Sequence, residues 1–246
     1  MSKVLVVPDV HMKKEVIERG LALARKHRAD KIVMLGDYFD DWCTLPYEYL
    51  EMIRYLKKLL RGNPTIIPLL GNHELSYMGF PCSGYCRTVA DQVQQALMPD
   101  HRFLFGVCID GVFYSHAGVT TAWLKNNSLI TQNDLRLKLN KKTGAELLEK
   151  CISRAETFDV FAQAGPARGG HQNPSLVWAD LTELIADPVP VKQVVGHTPL
   201  HQIENIGKVW FTDVYSNNNL SDEYLLVSDG EPEIIHYSVE DSKYGK

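Results

Sequence analysis

Five apolar runs in this chain each end by delivering polar side chains that a turn does not need. Lys3–Val7 is followed by Asp9 and His11, residues 32–35 by Asp37 and Asp40, and residues 65–70 by Asn72, His73 and Glu74. Val112–Ser115 is followed by His116, and residues 191–195 by His197. A glycine is enough to close a strand end, and Gly71 already supplies one at the third of these sites. Carboxylate, imidazole and amide oxygen together suit first-row divalent ions such as Mn, Fe or Zn. Mg alone asks for more oxygen and fewer imidazoles. The set is too large for one ion and about right for two ions plus catalytic groups. Caps and turns do not account for four histidines and an asparagine placed this way.

For these groups to meet, the strands must lie with their carboxyl ends together, which is where parallel α/β sheets collect function. The first seventy residues predict that arrangement as strand–helix–strand–helix–strand. The helices are expected at 13–28 and after Pro46, the second stopped by Gly62-Asn63-Pro64. Parallel strands joined by right-handed crossovers follow from that order. A helix is predicted over 84–98, ended by Pro99, and then a hairpin with Asp110-Gly111 at its turn. Residues 121–161 read as mostly helical with a break near Thr143-Gly144, and 164–173 as a Gly/Pro/Ala-rich loop. Residues 175–178 read as a short strand. Segments 208–212, 223–228 and 233–239 read as an antiparallel set, with Asp229-Gly230 as a second hairpin turn.

The length of 246 residues suits one large α/β domain, and 45% apolar with 23% charged residues is ordinary for a soluble protein. A formal charge of −4 gives no general pull toward nucleic acid or anionic membrane. No run reaches membrane-span length, and the N-terminus enters a strand at once, which argues against a cleavable signal peptide. The five cysteines are odd in number and irregularly spaced. Cys82 and Cys86 have no second thiol pair to complete a zinc site, so free thiols in a reducing cytoplasm are expected.

The ordered motifs resemble the calcineurin-like metallophosphoesterases, nearest to the phosphoprotein phosphatase and bacterial diadenosine-tetraphosphatase branch, which includes small bacteriophage phosphatases. They are Asp9-x-His11, Gly36-Asp37-x-x-Asp40, Gly71-Asn72-His73-Glu74, His116-Ala117-Gly118 and Gly196-His197-Thr198-Pro199. The resemblance spans residues 3–119 and 191–215. It implies a sandwich of two mixed β-sheets flanked by helices (α-β-β-α), forming one domain over 1–246 with a mainly helical insertion at about 120–190. It further implies that Asp9 and His11 hold a first metal, that Asp37 bridges two, and that Asn72, His116 and His197 hold the second. Two divalent ions, Mn first and Fe or Zn otherwise, would activate a bridging hydroxide for in-line attack on phosphorus. His73 would then protonate the leaving oxygen as general acid, oriented by Asp40. Pro199 stands where nuclease-like branches carry a further ligand, which favours the phosphatase side. Asp213 is expected in a supporting position, and Glu74 has no assigned role.

One departure bears on substrate. The phosphatase branch has an arginine after Asp40 that grips phosphate, and here Asp41-Trp42 follows; a later arginine expected after a tryptophan is replaced in Trp178-Ala179-Asp180. Arg168 and Arg87 are the candidate replacements, with His171 in the same loop as Arg168. Trp42, Tyr38 or Tyr85 offer stacking faces for an organic group. The first reading is therefore a phosphatase acting on phosphomonoesters of protein or small molecules. The alternative is a nucleotide phosphodiesterase or dinucleoside polyphosphate hydrolase, and a third, non-enzymatic reading is a metal-binding scaffold. His27, His101 and His236 read as ordinary surface or core histidines, and His201 lies close to the last motif but off it.

Overall fold

Residues 4–7 are three valines and a leucine in succession, a pattern that suits a strand covered on both faces. In the computed structural model β1 (Lys3–Val7) accordingly lies at the centre of a five-stranded sheet, with Val4 to Val7 buried. The structure describes residues 2–97, 102–130, 144–155, 157–216 and 221–245. β1 pairs in parallel with β2 (Lys31–Met34), and β2 in parallel with β3 (Ile66–Pro68). The crossovers are α1 (Lys14–His27) and α2 (Pro46–Gly62), which bury Val16, Ile17 and Leu23, and Met52, Ile53 and Leu56, respectively. On the other side of β1 lie β9 (Glu223–Ser228) and β10 (Glu231–His236), an antiparallel hairpin turning at Asp229-Gly230.

The short helices α3 (Asn72–Ser76) and α4 (Ala90–Leu97) lead to a second sheet. It runs β4 (Gly106–Ile109), β5 (Val112–Ser115), β6 (Lys192–Val195), β8 (Val209–Phe211) and β7 (Glu204–Ile206). One apolar cluster takes Leu5, Val33 and Leu225 from the first sheet and Ile109, Val112, Tyr114 and Val194 from the second, so the sheets share a core. At one edge Leu70 donates its backbone N–H to the Leu104 carbonyl at 2.8 Å, stitching the end of β3 to the approach to β4. Two mixed sheets flanked by helices are the architecture the sequence implied.

Between β5 and β6 come α5 (Thr121–Asn126), α6 (Gly144–Ile152), a turn of 3-10 helix at Pro166–Arg168, and α7 (Leu181–Ala186). The helical expectation for 131–143, the stop at Pro99 and His101 lie outside the described residues. No described helix is long and apolar enough to cross a membrane.

Three expectations need correction. Residues 175–178 form a turn, with Trp178 donating to the Ser175 carbonyl at 3.0 Å. Leu176 and Val177 are buried there without entering either sheet; an apolar run reports burial, not pairing. Residues 208–212 do not belong with 223–239, because β8 sits in the second sheet, parallel to β6 and antiparallel to β7, a strand the sequence did not announce. The helix predicted from residue 84 begins at Ala90, preceded by a turn of 3-10 helix at Arg87–Val89.

Candidate metal centre

The carboxyl ends of β1, β2 and β3 in one sheet and of β5 and β6 in the other deliver the predicted groups into one cleft of about 330 Å³, lined by His11, Asp37, Asp40, Asn72, His73 and His197 among others. The backbone there is strained. His11, Asp37, Asp40 and His197 have φ of 40°, 48°, 66° and 66°, in the left-handed region that side-chain-bearing residues avoid. Strain of this kind persists where the surrounding structure fixes it, and it gathers at functional sites. The approach is also close: Gly36 has φ 111°, and a Cβ on it would meet the Gly71 nitrogen at 2.6 Å. A Cβ on Gly71 or Gly196 would overlap a carboxylate oxygen of Asp37 or Asp9, respectively.

Asp37 occupies the middle of the cluster. Its Oδ2 lies 3.6 Å from His11 Nε2 and 3.3 Å from His116 Nε2, and its Oδ1 accepts the backbone N–H of His73 at 3.0 Å. His116 Nε2 is also 3.0 Å from Asn72 Oδ1 and 3.1 Å from His197 Nδ1. The rings of His116 and His11 have their outer nitrogens held in the same way. His116 Nδ1 pairs with the Leu35 carbonyl at 3.0 Å, and His11 Nδ1 with the Asp40 carbonyl at 2.8 Å, so Nε2 of each faces inward. Asp9 accepts the backbone N–H of His197 at 3.0 Å and lies 3.6 Å from His116 Nδ1.

His73 adjoins that set but has a carboxylate partner of its own. Its Nδ1 is 3.0 Å from Asp40 Oδ2, while Asp40 Oδ1 receives the hydroxyls of Tyr49, at 2.8 Å, and of Tyr77. Asp40 is buried, and its two oxygens are thereby assigned to different partners. Burial works against the His73 cation, but the charge of Asp37 and the bond to Asp40 outweigh it and push the imidazole up to about 9.

The donor chemistry fits divalent cations. Asp9, Asp37, Asp213 and Glu74 are all buried within this small volume, and a cluster of buried carboxylates needs compensating positive charge. Burial and the Asp213 charge push Asp9 well above its ordinary value. Burial also disfavours the Asp37 anion, yet His116, with His73 and His11, holds it well below the usual carboxylate range. His116 in turn is pushed up to about 9, because Asp37 and Asp9 outweigh its burial. Burial, His116 and Arg168 keep His197 well below the normal imidazole range, in the neutral form that binds metal. Ligand atoms of Asp37, His116 and His197 fall within 4.8 Å of one another, as do those of His11, Asp37 and His73.

The remaining candidates divide. Trp42 is 83% exposed at the cleft rim, and Arg168, Asp41, Lys13 and Asp213 also line the cleft. Tyr38 does not belong with them: it is buried, and its hydroxyl donates to the Leu69 carbonyl at 2.9 Å, so its ring offers no stacking surface. Arg87 is exposed and lies outside the cleft lining. His171 lines a different cavity, of about 820 Å³, with Asn127, Gln163 and Glu183. Tyr85 packs on Tyr77, and His201 is exposed, outside the cleft lining. Sequence reasoning missed Tyr49 and Tyr77, which look like ordinary core aromatics until their hydroxyls are seen on Asp40. It also left Glu74 idle. That carboxylate accepts backbone N–H groups from Asp37 and Tyr38 at 2.8 Å and from Gly71 at 2.9 Å.

The sequence pattern of the family described as calcineurin-like phosphoesterase matches residues 2–235. No curated protein sequence matches the chain significantly. Among solved structures, a mutant cold-active protein tyrosine phosphatase is similar with a TM-score of 0.57 and 20% identity, over 96% of this chain and 81% of that one. The cold-active protein tyrosine phosphatase of a psychrophilic Shewanella species gives 0.55 and 19%, over 96% and 81%. At such identity these likenesses speak to the fold.

Proposed function

The chain belongs to the calcineurin-like phosphoesterase family, hydrolases of phosphoester bonds, and from its cleft we propose a two-cation phosphatase that cuts phosphomonoesters with His73 as general acid. The observation that carries this reading is the carboxylate partner of His73: its Nδ1 lies 3.0 Å from Asp40 Oδ2, whereas His11 and His116 have Nδ1 on backbone carbonyls and Nε2 toward Asp37. That carboxylate orients the ring and favours its protonated form, which a proton donor requires.

Asp9 and His11 would hold one cation; Asn72, His116 and His197 would hold the other, with Asp37 shared because its carboxylate stands between the two sets. The mixture of imidazole, carboxylate and amide oxygen suits Mn, then Fe or Zn. Two such cations supply an activated water and neutralise charge on the phosphoryl oxygens. The chain's own work is to orient and to move a proton. Tyr49 and Tyr77 fix the rotation of Asp40, so that Oδ2 alone addresses His73. With Nδ1 so engaged, Nε2 is the nitrogen that hands a proton to the departing oxygen.

A second reading has its own support. Trp42 stands 83% exposed at the rim beside Asp41, a face on which the base of a phosphodiester or dinucleoside polyphosphate would stack. Cytoplasmic residence is proposed from the free thiols of Cys43, Cys82, Cys86 and Cys108. Purified protein loaded with Mn²⁺ should hydrolyse p-nitrophenyl phosphate faster than bis-p-nitrophenyl phosphate. Preference for the diester moves the assignment to the second reading, and metal-loaded protein that cleaves neither ends both.

A further inference from the structure

We infer that Arg168 binds the substrate's phosphoryl group, that Asp180 is the positioning residue that holds it there, and that this pair selects a dianionic monoester over a diester. The inference rests on the hydrolase reading and names what that reading leaves open, the source of cationic grip on substrate.

Among the described residues that line the cleft, the lysines and arginines are Lys13 and Arg168. Lys13 Nζ donates to the Tyr215 carbonyl at 2.7 Å, which uses one of its three donors. Arg168 ends the 3-10 turn Pro166–Arg168 and is followed by Gly169 at φ 78°, so the chain reverses directly after it. The turn is gripped from below by the start of α7. Glu183 accepts the Ala167 N–H at 3.0 Å, and a Cβ on Gly165 would run into the same carboxylate. Asp180 divides its two oxygens: Oδ1 caps α7 by accepting the Thr182 N–H at 3.1 Å and hydroxyl at 2.9 Å, and Oδ2 lies 3.2 Å from Arg168 Nε. The side chain cannot swing without uncapping that pairing.

The far end of the guanidinium is tied to the turn that carries His197. Nη2 donates to the His197 carbonyl and to Thr198 Oγ1, each at 3.3 Å. Nη1 has no protein partner among the described residues, so two N–H donors of an otherwise fixed, planar cation remain for an anion. A guanidinium presented this way suits a terminal phosphoryl group, which a fork-shaped donor recognises well. The rim also carries Asp41. Without Arg168 the Asp41 charge at the rim is less well offset, which penalises a dianion more than a singly charged diester.

Arg168→Met, Arg168→Lys, Asp180→Asn and Asp180→Glu are compared with the parent protein, all loaded with Mn²⁺ and checked for unchanged metal content and melting temperature. Two readouts are used: kcat and KM on p-nitrophenyl phosphate and bis-p-nitrophenyl phosphate, and calorimetric titration with inorganic phosphate. Arg168→Met should raise KM for the monoester about tenfold or more, change the diester less than threefold, and weaken phosphate binding in parallel. Arg168→Lys should fall between. Asp180→Asn should raise monoester KM with little change in kcat, and Asp180→Glu should restore it in part. Equal losses on both substrates, or phosphate binding untouched by Arg168→Met, overturn the inference. If the parent protein cleaves neither substrate while Arg168→Met still loses phosphate, the hydrolase reading fails and the phosphate site stands.

Discussion

Glu74 accepts the backbone N–H of Asp37 at 2.8 Å across 37 residues of sequence, and the same oxygen accepts the N–H of Gly71 at 2.9 Å. One buried carboxylate thus joins the ends of β2 and β3 at the point where both hand over site residues. Burial and the Asp37 charge push it up to about 7, against the pull of those N–H bonds. Glu74→Gln should be costly although it is nearly isosteric. An amide has one acceptor oxygen, and its NH2 would face a backbone donor at Tyr38 or at Asp37 and Gly71. A loss of about 2–4 kcal/mol is expected, from a buried donor left unpaired in a charged network. Thermal unfolding and bound-metal analysis should show a lower melting temperature together with weakened Mn²⁺ binding. A variant that melts and binds metal like the parent would show that Glu74 does not set the loops.

The pairing of His73 with Asp40 at 3.0 Å gives a second test. His73→Asn should lower kcat by about 10²–10⁴, the usual worth of a general acid, while metal content stays at the parent value. The pH profile supplies the sign. His73 is pushed up to about 9 by Asp37 and Asp40, and the protonated form does the work, so activity should fall as pH rises through its pKa. Asp40→Asn removes part of that support. Its alkaline limb should therefore move to lower pH, with Tyr49 and Tyr77 left facing an amide. An alkaline limb that stays in place would assign the titration to another group.

These two predictions mark what a reader of the sequence was able to see. His73 and Asp40 stand at recognisable positions after apolar runs, because strands must end and the ends are local. Glu74 was invisible for the opposite reason: two of its three partners, the N–H groups of Asp37 and Tyr38, are brought near only by the pairing of β2 with β3. Tyr49 and Tyr77 show the same limit. Tyr49 sits on α2 and Tyr77 in the turn that ends α3, places where an aromatic residue needs no explanation, and only the fold puts both hydroxyls on Asp40. The crossovers of the first sheet were legible because helix and strand periods alternate cleanly up to Leu70. The second sheet was not, since nothing in residues 209–211 says that their neighbour is β6 in parallel. Tyr38 follows Asp37 directly, yet it points into the core, which spacing alone did not distinguish from the cleft.

Away from the site, the C-terminal segment Val239–Tyr244 is fastened to α1 through charge. Lys26 Nζ lies 2.8 Å from Asp241 Oδ1, and Arg25 donates to the Tyr244 carbonyl at 2.7 Å. Burial disfavours the Asp241 anion, but Lys26 and the Ser238 donors prevail and hold it below its ordinary value. A carboxyl with a depressed folded pKa stabilises above its unfolded pKa, and that contribution is lost as pH falls through the folded one. Asp241→Asn should then lower stability by about 1–2 kcal/mol near neutral pH, a drop of roughly 2–8 °C for a chain of this size. The gap between variant and parent should close in acid, below the usual carboxylate range. A gap that persists there would mean that packing, not charge, holds the segment.

Removal of metal should be read out by stability as well as by activity. A cation that binds only the folded chain adds RT ln(1 + [L]/Kd), about 2.7 kcal/mol at a hundredfold excess over Kd. Mn²⁺ should therefore raise the melting temperature by roughly 5–10 °C over the chelated protein. The effect should exceed that of Ca²⁺, because the site is rich in imidazole and Ca²⁺ prefers oxygen. Gly196→Ala isolates the geometry. Its Cβ would overlap Asp9 Oδ2, so the carboxylate must leave the position it holds against the His197 backbone. The variant should lose most of the Mn²⁺-dependent rise in melting temperature, even at Mn²⁺ levels that saturate the parent. A full rise in Gly196→Ala would remove Asp9 from the metal-binding set and leave His11 and Asp37 to hold the first cation without it.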